Sequence, residues 1–479
     1  MLFNSLQYLL FLPIVLAIYW LSPHRFRLAI LLIASYVFYM AWRPAFGLLI
    51  FGLTLANFWF GLRIAQSQLK KKAWLIAALT ANLATLAFFK YFYFLEDSVM
   101  ALLRPLTGEL PKLPVTIILP LGISFFVFEF IHYVVEVYRG NEPVRKLAPF
   151  ALFASFFPTQ IAGPIKRYQD FIPQLAVPMN LTAEHIDEGC YLIISGLFKK
   201  VLLADNLAFF VAGGYAHPGL FTGLDLWVFT FAFSFQIYFD FGGYADIARG
   251  SAKLLGFKVP INFDFPFLSS NVSELWRRWH ISLGTWLRDY LFFPLGGSRH
   301  SKWATARNFL ITFSLAGLWH GAASHYVIWG FFNGVCLALH REFSQIRESI
   351  SWLANLFDTH LGKAFSIFAT FFCWCVGLVF FRAEDNVAAC SMLQKMFFLN
   401  GAHDATYSLQ AINYPLIYPS ILWLLALITI VHVGIERTRG KVAFSQLPRG
   451  LKVAYGSALM LTLIAFAPDN SPRFIYYQF

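Results

Sequence analysis

The chain has 479 residues, 58% of them hydrophobic and only 13% charged, whereas a soluble protein carries about 25% charged residues. That deficit, with 55 phenylalanines and a mean hydropathy of +0.60, excludes an ordinary soluble enzyme and points to a bilayer. The net charge of +12 would suggest a nucleic-acid partner in a soluble chain, but here the excess of Lys and Arg in cytoplasmic loops accounts for it, and no nucleic acid is expected.

The first apolar run, Leu6–Trp20, has no basic residue before it and no small-residue cleavage site, so it reads as an uncleaved span. Further runs follow at Phe26–Trp42, Phe46–Ile64, Trp74–Leu95, Val115–Val137, Leu147–Gly163, Tyr191–Ala212 and Leu226–Tyr244. The last part of the chain adds Asn308–Trp319, Tyr326–Leu339, Ala364–Phe381, Pro415–Ile435 and Val453–Ala467. Several are short for a hydrocarbon layer of about 30 Å, which calls for tilt, re-entry or burial by protein. The segment Phe157–Pro164 breaks its helix at Pro158 and Pro164, and broken helices at membrane depth line cavities or are wrapped by protein.

Lys and Arg placement orients the spans. The connections at Arg25 and Arg27, Lys70 to Lys72, Arg139 to Lys146, Lys166 and Arg167, Lys253–Arg307, Arg341–Lys363 and Arg437–Lys452 read as cytoplasmic. Glu96–Lys112, Gly213–Asp225 and Glu384–Asn413 read as external. A consistent path puts both the N-terminus and Phe479 outside, with Leu147–Gly163 re-entrant. With no repeat and no soluble domain visible, the expected fold is one all-α integral membrane domain over residues 1–479.

The stretch Asn271–Gly321 differs from the rest. Asn271 and Glu274 form a plausible capping pair, and Trp276, Trp279, Leu283, Trp286, Leu287 and Tyr290 recur at helical spacing, so one amphipathic interfacial helix is expected. Then Asn308–Trp319 carries His320 deep into an apolar layer, where an ionisable group is costly and marks a functional site by default. His280 sits on the amphipathic helix, between Trp279 and Ile281. Gly321-Ala322-Ala323 is expected to leave space beside His320. A neutral imidazole can take a proton from a hydroxyl near neutral pH, so both histidines are candidates for acid–base chemistry. The alternative for each is a buried imidazole hydrogen-bonded in an aromatic core.

Other polar groups in apolar surroundings are Glu129, Gln160, Asp240 and Asp246, the two aspartates being expected to pair with Arg249 or Arg277. Arg277, Arg278, Lys166 and Arg167 suit either the mouth of a channel for a phosphate-bearing donor or plain anchoring at the inner face. The five cysteines, Cys190, Cys336, Cys373, Cys375 and Cys390, lack metal-ligand spacing and read as packing residues. No motif for a covalent nucleophile or a metal site is present.

Six blocks carry a resemblance: Leu121–Phe125, Ile161–Pro164, Tyr238–Tyr244, Trp276–Leu283, Trp286–Tyr290 and Leu318–Gly321. In this order they resemble the membrane-bound O-acyltransferase family, in its alginate-acetylating branch. The match is best over about residues 115–340, the last third agreeing only in hydrophobicity. The resemblance implies a multi-span helical bundle with re-entrant helices around a central tunnel. It also implies His320 as the essential histidine, with His280 as the second. The donor would be acetyl-CoA or a related thioester, with no permanently bound cofactor, and Arg277, Arg278, Trp279 and Trp319 are the candidates for holding it. The acetyl group would pass outward across a bacterial inner membrane to a polysaccharide, helped by a separate periplasmic acetyltransferase of the SGNH type. Two rivals stand beside this reading: an exporter of lipid-linked sugars, which would more often show paired halves, and a scaffold for a polysaccharide synthase, which would need no buried histidine.

Overall fold

The structure, a computed structural model, describes residues 1, 3–108, 111–399, 414–438, 447–468, 472 and 474. Every regular element among them is helical. Two compact units are present, Met1–Ile193 with Tyr244–Pro260, and Ile194–Gly243 with Ile261–Phe479. The expected outward-facing Phe479 lies outside the described residues.

The first unit begins with α1 (Leu6–Leu21), α2 (His24–Met40), α3 (Pro44–Gln66) and α4 (Lys71–Thr107). It continues with α5 (Ile123–Arg139), α6 (Leu147–Ser155), the short turn α7 (Tyr168–Phe171) and most of α8 (Ala183–Leu197). The Ser5 side chain accepts the Tyr8 N–H at 3.2 Å and starts α1. α4 runs on past Leu95, so the first part of the stretch read as an external loop is helical. α3 and α4 are pinned by Asn57 and Asn82, whose amides bond reciprocally at 3.1 and 2.7 Å. α5 starts only at Ile123, later than the apolar run suggests, because Gly122 adopts φ +70°. A Cβ at Gly122 would lie 2.8 Å from the Gln160 carbonyl oxygen, so two of the blocks noted above meet backbone to backbone.

Beyond α6 the chain turns irregularly, and every residue from Phe150 to Lys166 is buried. Its polar backbone is satisfied inside the protein: the Phe157 N–H donates to the Ser35 hydroxyl at 3.1 Å, and the Gly163 N–H to the Thr159 carbonyl at 3.2 Å. A helix broken in apolar surroundings needs such partners. Lys166 corrects the reading of a basic channel mouth. It is 2% exposed, and its Nζ donates to both Glu129 carboxylate oxygens, at 2.7 and 3.1 Å.

The second unit holds a π-helical segment (Phe198–Ala204), α9 (Asp205–Ala216) and the first part of α10 (Gly223–Leu254), which divides between the units after Gly243. Next come α11 (Val272–Arg278), α12 (Ile281–Leu287), a second π-helical segment (Arg288–Phe292), α13 (Lys302–His320) and α14 (Ser324–Ser349). The unit ends with α15 (Ser351–Asp358), α16 (His360–Arg382), α17 (Asn386–Phe398), α18 (Tyr414–Thr438) and α19 (Arg449–Phe466). The cation found beside Asp240 is a lysine. Lys200 in the first π-helical segment sits 2.6 Å from both Asp240 and Asp205. A Cβ at Gly243 would fall 2.6 Å from the Gly196 carbonyl oxygen, and this close approach brings Lys200 against α10. Asp246 does pair with Arg249, at 3.2 Å.

Five helical stretches among the described residues are long and apolar enough to cross a membrane: Pro44–Gln66, Lys71–Thr107, His360–Arg382, Ser420–Thr438 and Arg449–Phe466. The five cysteines are free; Cys375 is buried, with its Sγ 3.2 Å from the Ser234 hydroxyl.

Candidate active site

His320 is the last residue of α13, whose start is capped by Ser301 accepting the Ala304 N–H at 3.2 Å. α13 and α14 form a helical hairpin in which glycines set the spacing. A Cβ at Gly317 would stand 2.1 Å from the Tyr326 carbonyl oxygen, and one at Gly330 2.0 Å from that of Phe313. Both glycines start a small-xxx-small pair, Gly317–Gly321 and Gly330–Gly334, which lets helix backbones touch in lipid. Gly321 does not leave space beside His320. A Cβ there would meet the Tyr326 ring at 2.1 Å, so the missing side chain is replaced by an aromatic one. His325 ties the start of α14 to α16 through its Nδ1, 2.9 Å from the Phe380 carbonyl oxygen.

The His320 ring is 5% exposed and walled by three aromatics from three helices. Centroid distances are 4.8 Å to Trp319, 5.0 Å to Trp329 at 89°, and 5.2 Å to Phe381 at 76°. Trp319 also reaches the second histidine, its ring lying 6.4 Å from that of His280. One indole thus contacts both imidazoles, although 40 residues separate them in sequence.

The single amphipathic helix expected from the Trp spacing is broken at His280. α11 stops at Arg278, His280 takes φ +42°, and α12 starts at Ile281. A left-handed conformation at a non-glycine residue is costly and persists where its surroundings enforce it. The preceding strap does so here. The Asp264 N–H donates to the Arg278 carbonyl at 2.9 Å, the Ile281 N–H to the Asn262 carbonyl at 3.0 Å, and the Ser282 hydroxyl to Asn262 Oδ1 at 2.7 Å. The His280 ring is 1% exposed and meets Phe241 edge-on at 4.6 Å. Burial holds its imidazole well below the ordinary histidine value, at about 3, so it stays uncharged.

The capping pair is present in altered form. Asn271 Oδ1 accepts the Glu274 N–H at 2.8 Å, and Glu274 reaches back to the N–H and hydroxyl of Ser270, at 2.9 and 2.8 Å. Partial burial pushes the Glu274 carboxyl up, but the Ser270 bonds and the Arg278 guanidinium outweigh it and hold it below its usual value. The four candidates for holding a donor divide sharply. Arg277 is exposed and touches Ser273 at 2.9 Å. Arg278 is engaged by two carboxylates, Glu274 at 2.8 Å and Glu436 at 3.1 Å. Trp279 and Trp319 are 3% and 6% exposed, with Trp279 packed 4.7 Å from Trp374 and 5.0 Å from Phe263.

Several residues around the site were not singled out in the sequence: Trp329, Trp374, Phe381, His325, Asn262 and Glu436. The tryptophans and Phe381 lie in or beside apolar runs, where a residue facing the site looks like one facing lipid. Three of the six, Trp374, Phe381 and Glu436, lie beyond residue 340, where the resemblance is weakest.

Comparison with known proteins identifies the family. Residues 77–381 match the membrane-bound O-acyltransferase family. The chain is 41% identical over 407 residues to the "Probable alginate O-acetylase AlgI" of Pseudomonas aeruginosa, covering 83% of this chain and 75% of that protein. It is 34% identical over 428 residues to a peptidoglycan O-acetyltransferase of Helicobacter pylori, with 82% and 79% covered. It is 30% identical over 281 residues to a teichoic acid D-alanyltransferase of Bacillus subtilis, with 55% and 69% covered. The match takes in both histidines, the hairpin that carries one and the broken helix that carries the other, and the chain belongs to the membrane-bound O-acyltransferase family, as a multi-pass membrane enzyme that transfers acyl groups to oxygen.

Proposed function

We propose that this O-acyltransferase moves acetyl groups from cytoplasmic acetyl-CoA, across a bacterial inner membrane, to hydroxyls of a cell-surface polysaccharide such as alginate. His320 is the general base, reached by a tunnel from both faces. The observation that carries the proposal is the pairing of His320 and His280 through one indole, Trp319, inside a wall of aromatic rings. Water is scarce in such a setting, so a neutral imidazole accepts a proton without competition and a developing negative charge is felt strongly. His280, held uncharged at a fixed backbone break, orients a reactant by hydrogen bonding and does not itself take up the hydroxyl's proton. Arg277, exposed on α11, offers a cation to the donor's phosphates. Arg278 anchors α11 to α18 through Glu436 and contributes to the donor site by holding Arg277 in place. Two further relatives, named for peptidoglycan and teichoic acid, support an acceptor among cell-envelope polymers. The final acetyl transfer to the polymer is assigned to a separate periplasmic acetyltransferase of the SGNH type, in line with the resemblance noted in the sequence.

The test is His320→Ala in purified protein supplied with labelled acetyl-CoA, read as turnover of the thioester and release of its acetyl group. Loss of a general base costs about 10²–10⁴-fold in rate, so thioester turnover falls by that factor while membrane insertion and thermal stability are kept. Turnover at the wild-type rate by His320→Ala rejects the assignment.

A further inference from the structure

Three indole N–H groups in the second unit are buried with no hydrogen-bond acceptor among the described residues: those of Trp276, Trp329 and Trp374. They belong to one cluster. Trp329 lies 6.0 Å from Trp276, which lies 6.0 Å from Trp374. A buried donor left unsatisfied costs about 1–3 kcal/mol, and a buried tryptophan ordinarily finds a partner for its N–H. Phenylalanine would fill the same wall without that cost. Of the three, Trp329 is the one in ring contact with His320, at 5.0 Å and 89°, and it is 2% exposed. It is also rigidly placed. The next residue is Gly330, locked against the α13 backbone, and Phe381 backs the indole at 5.1 Å.

We infer that Trp329 is a further catalytic residue, whose indole N–H donates to the acyl carbonyl oxygen as negative charge develops there. The inference rests on His320 acting as base. In the step it serves, the acceptor hydroxyl oxygen bonds to the carbonyl carbon of an acyl thioester while its proton passes to the imidazole. The carbonyl π electrons move onto oxygen, forming the oxyanion that Trp329 stabilises. The oxyanion then collapses, the carbon–sulfur bond breaks, and the departing thiolate takes the proton back from the imidazolium. Ester and thiol leave, and both side chains return to their starting states. A preorganised donor in a dry site acts where charge appears and needs no reorganisation.

The experiment replaces Trp329 by benzothienylalanine, which keeps the two-ring shape and exchanges N–H for sulfur, with Trp329→Phe as a second variant. Removing one oxyanion donor costs about 10²–10³-fold in kcat. The expected result is a fall of that size in both variants, with KM for the thioester and the melting temperature near wild type. A benzothienylalanine enzyme with wild-type kcat overturns the inference. So does a loss of rate that tracks loss of folded protein, because that marks the ring as structural. If His320→Ala is inactive and the benzothienylalanine enzyme is fully active, only the Trp329 assignment fails. If His320→Ala is itself active, the base assignment fails first.

Discussion

Lys166 shows how one side chain can be visible in the sequence and still be misread. Its charge next to Arg167 suggests an inner-face cation, yet the structure buries it against Glu129 with three hydrogen bonds, two from its Nζ and one from its own N–H. Charge and position are legible in a sequence; the partner, 37 residues away, is not. A buried ion pair is dangerous to break. Removing one partner strands the other charge, at about 3–5 kcal/mol, whereas replacing both with apolar groups of similar size is often neutral. Lys166→Met is therefore expected to lower the melting temperature sharply in detergent, and Glu129→Leu combined with Lys166→Met to recover most of the loss. Thermal unfolding of the two variants, followed by circular dichroism, checks this. A double variant as unstable as the single one would show that the pair's hydrogen bonds, not charge balance, hold the segment. His320 and His280 were legible for the opposite reason. An imidazole in an apolar stretch needs no partner to stand out.

At the scale of elements, periodicity found the helices well and their interruptions poorly. Trp276, Trp279, Leu283 and Trp286 fit one helical face, so nothing local announces the break at His280. The break is enforced by Asn262 and Asp264, from a strap with no regular pattern. The glycines of the α13–α14 hairpin were similarly opaque, since a glycine in an apolar run reads as a weak helix former until its neighbour is known. Their positions now make a prediction. A methyl group at residue 330 would overlap the Phe313 carbonyl oxygen, which belongs to backbone and cannot rotate away. The helices must separate, and overpacking of this kind costs about 1–3 kcal/mol. Separation also moves Trp329 relative to His320, since the two rings sit on the two sides of that contact. Gly330→Ala is expected to insert in the membrane yet lose most of its transferase activity, whereas Gly434→Ala, with open space around it, should match wild type in both. Activity of purified Gly330→Ala equal to wild type would mean that the hairpin spacing does not set the site.

For the whole molecule, composition alone reached the right class: few charges and abundant phenylalanine in a chain that the helices and the family agree is multi-pass. It could not count spans, because α14 and others are long but too polar along part of their length, while α4 continues well past its apolar run. The orientation inferred from Lys and Arg is a physical claim with its own consequence. If the connection from Lys253 to Arg307 faces the cytoplasm, then Arg277, exposed on α11, faces the compartment that holds acetyl-CoA. Acetyl-CoA carries several negative charges and does not cross a bilayer unaided, so only one face of a sealed vesicle can feed the enzyme. Inverted membrane vesicles, with the cytoplasmic side outward, are expected to release free CoA from added acetyl-CoA, and right-side-out vesicles to do so only after permeabilisation. Arg277→Ala should raise KM for acetyl-CoA in the inverted vesicles, and more so at low salt, where the attraction between the guanidinium and the phosphates is least screened. Turnover by intact right-side-out vesicles alone would reverse the orientation and place the donor site on the opposite face.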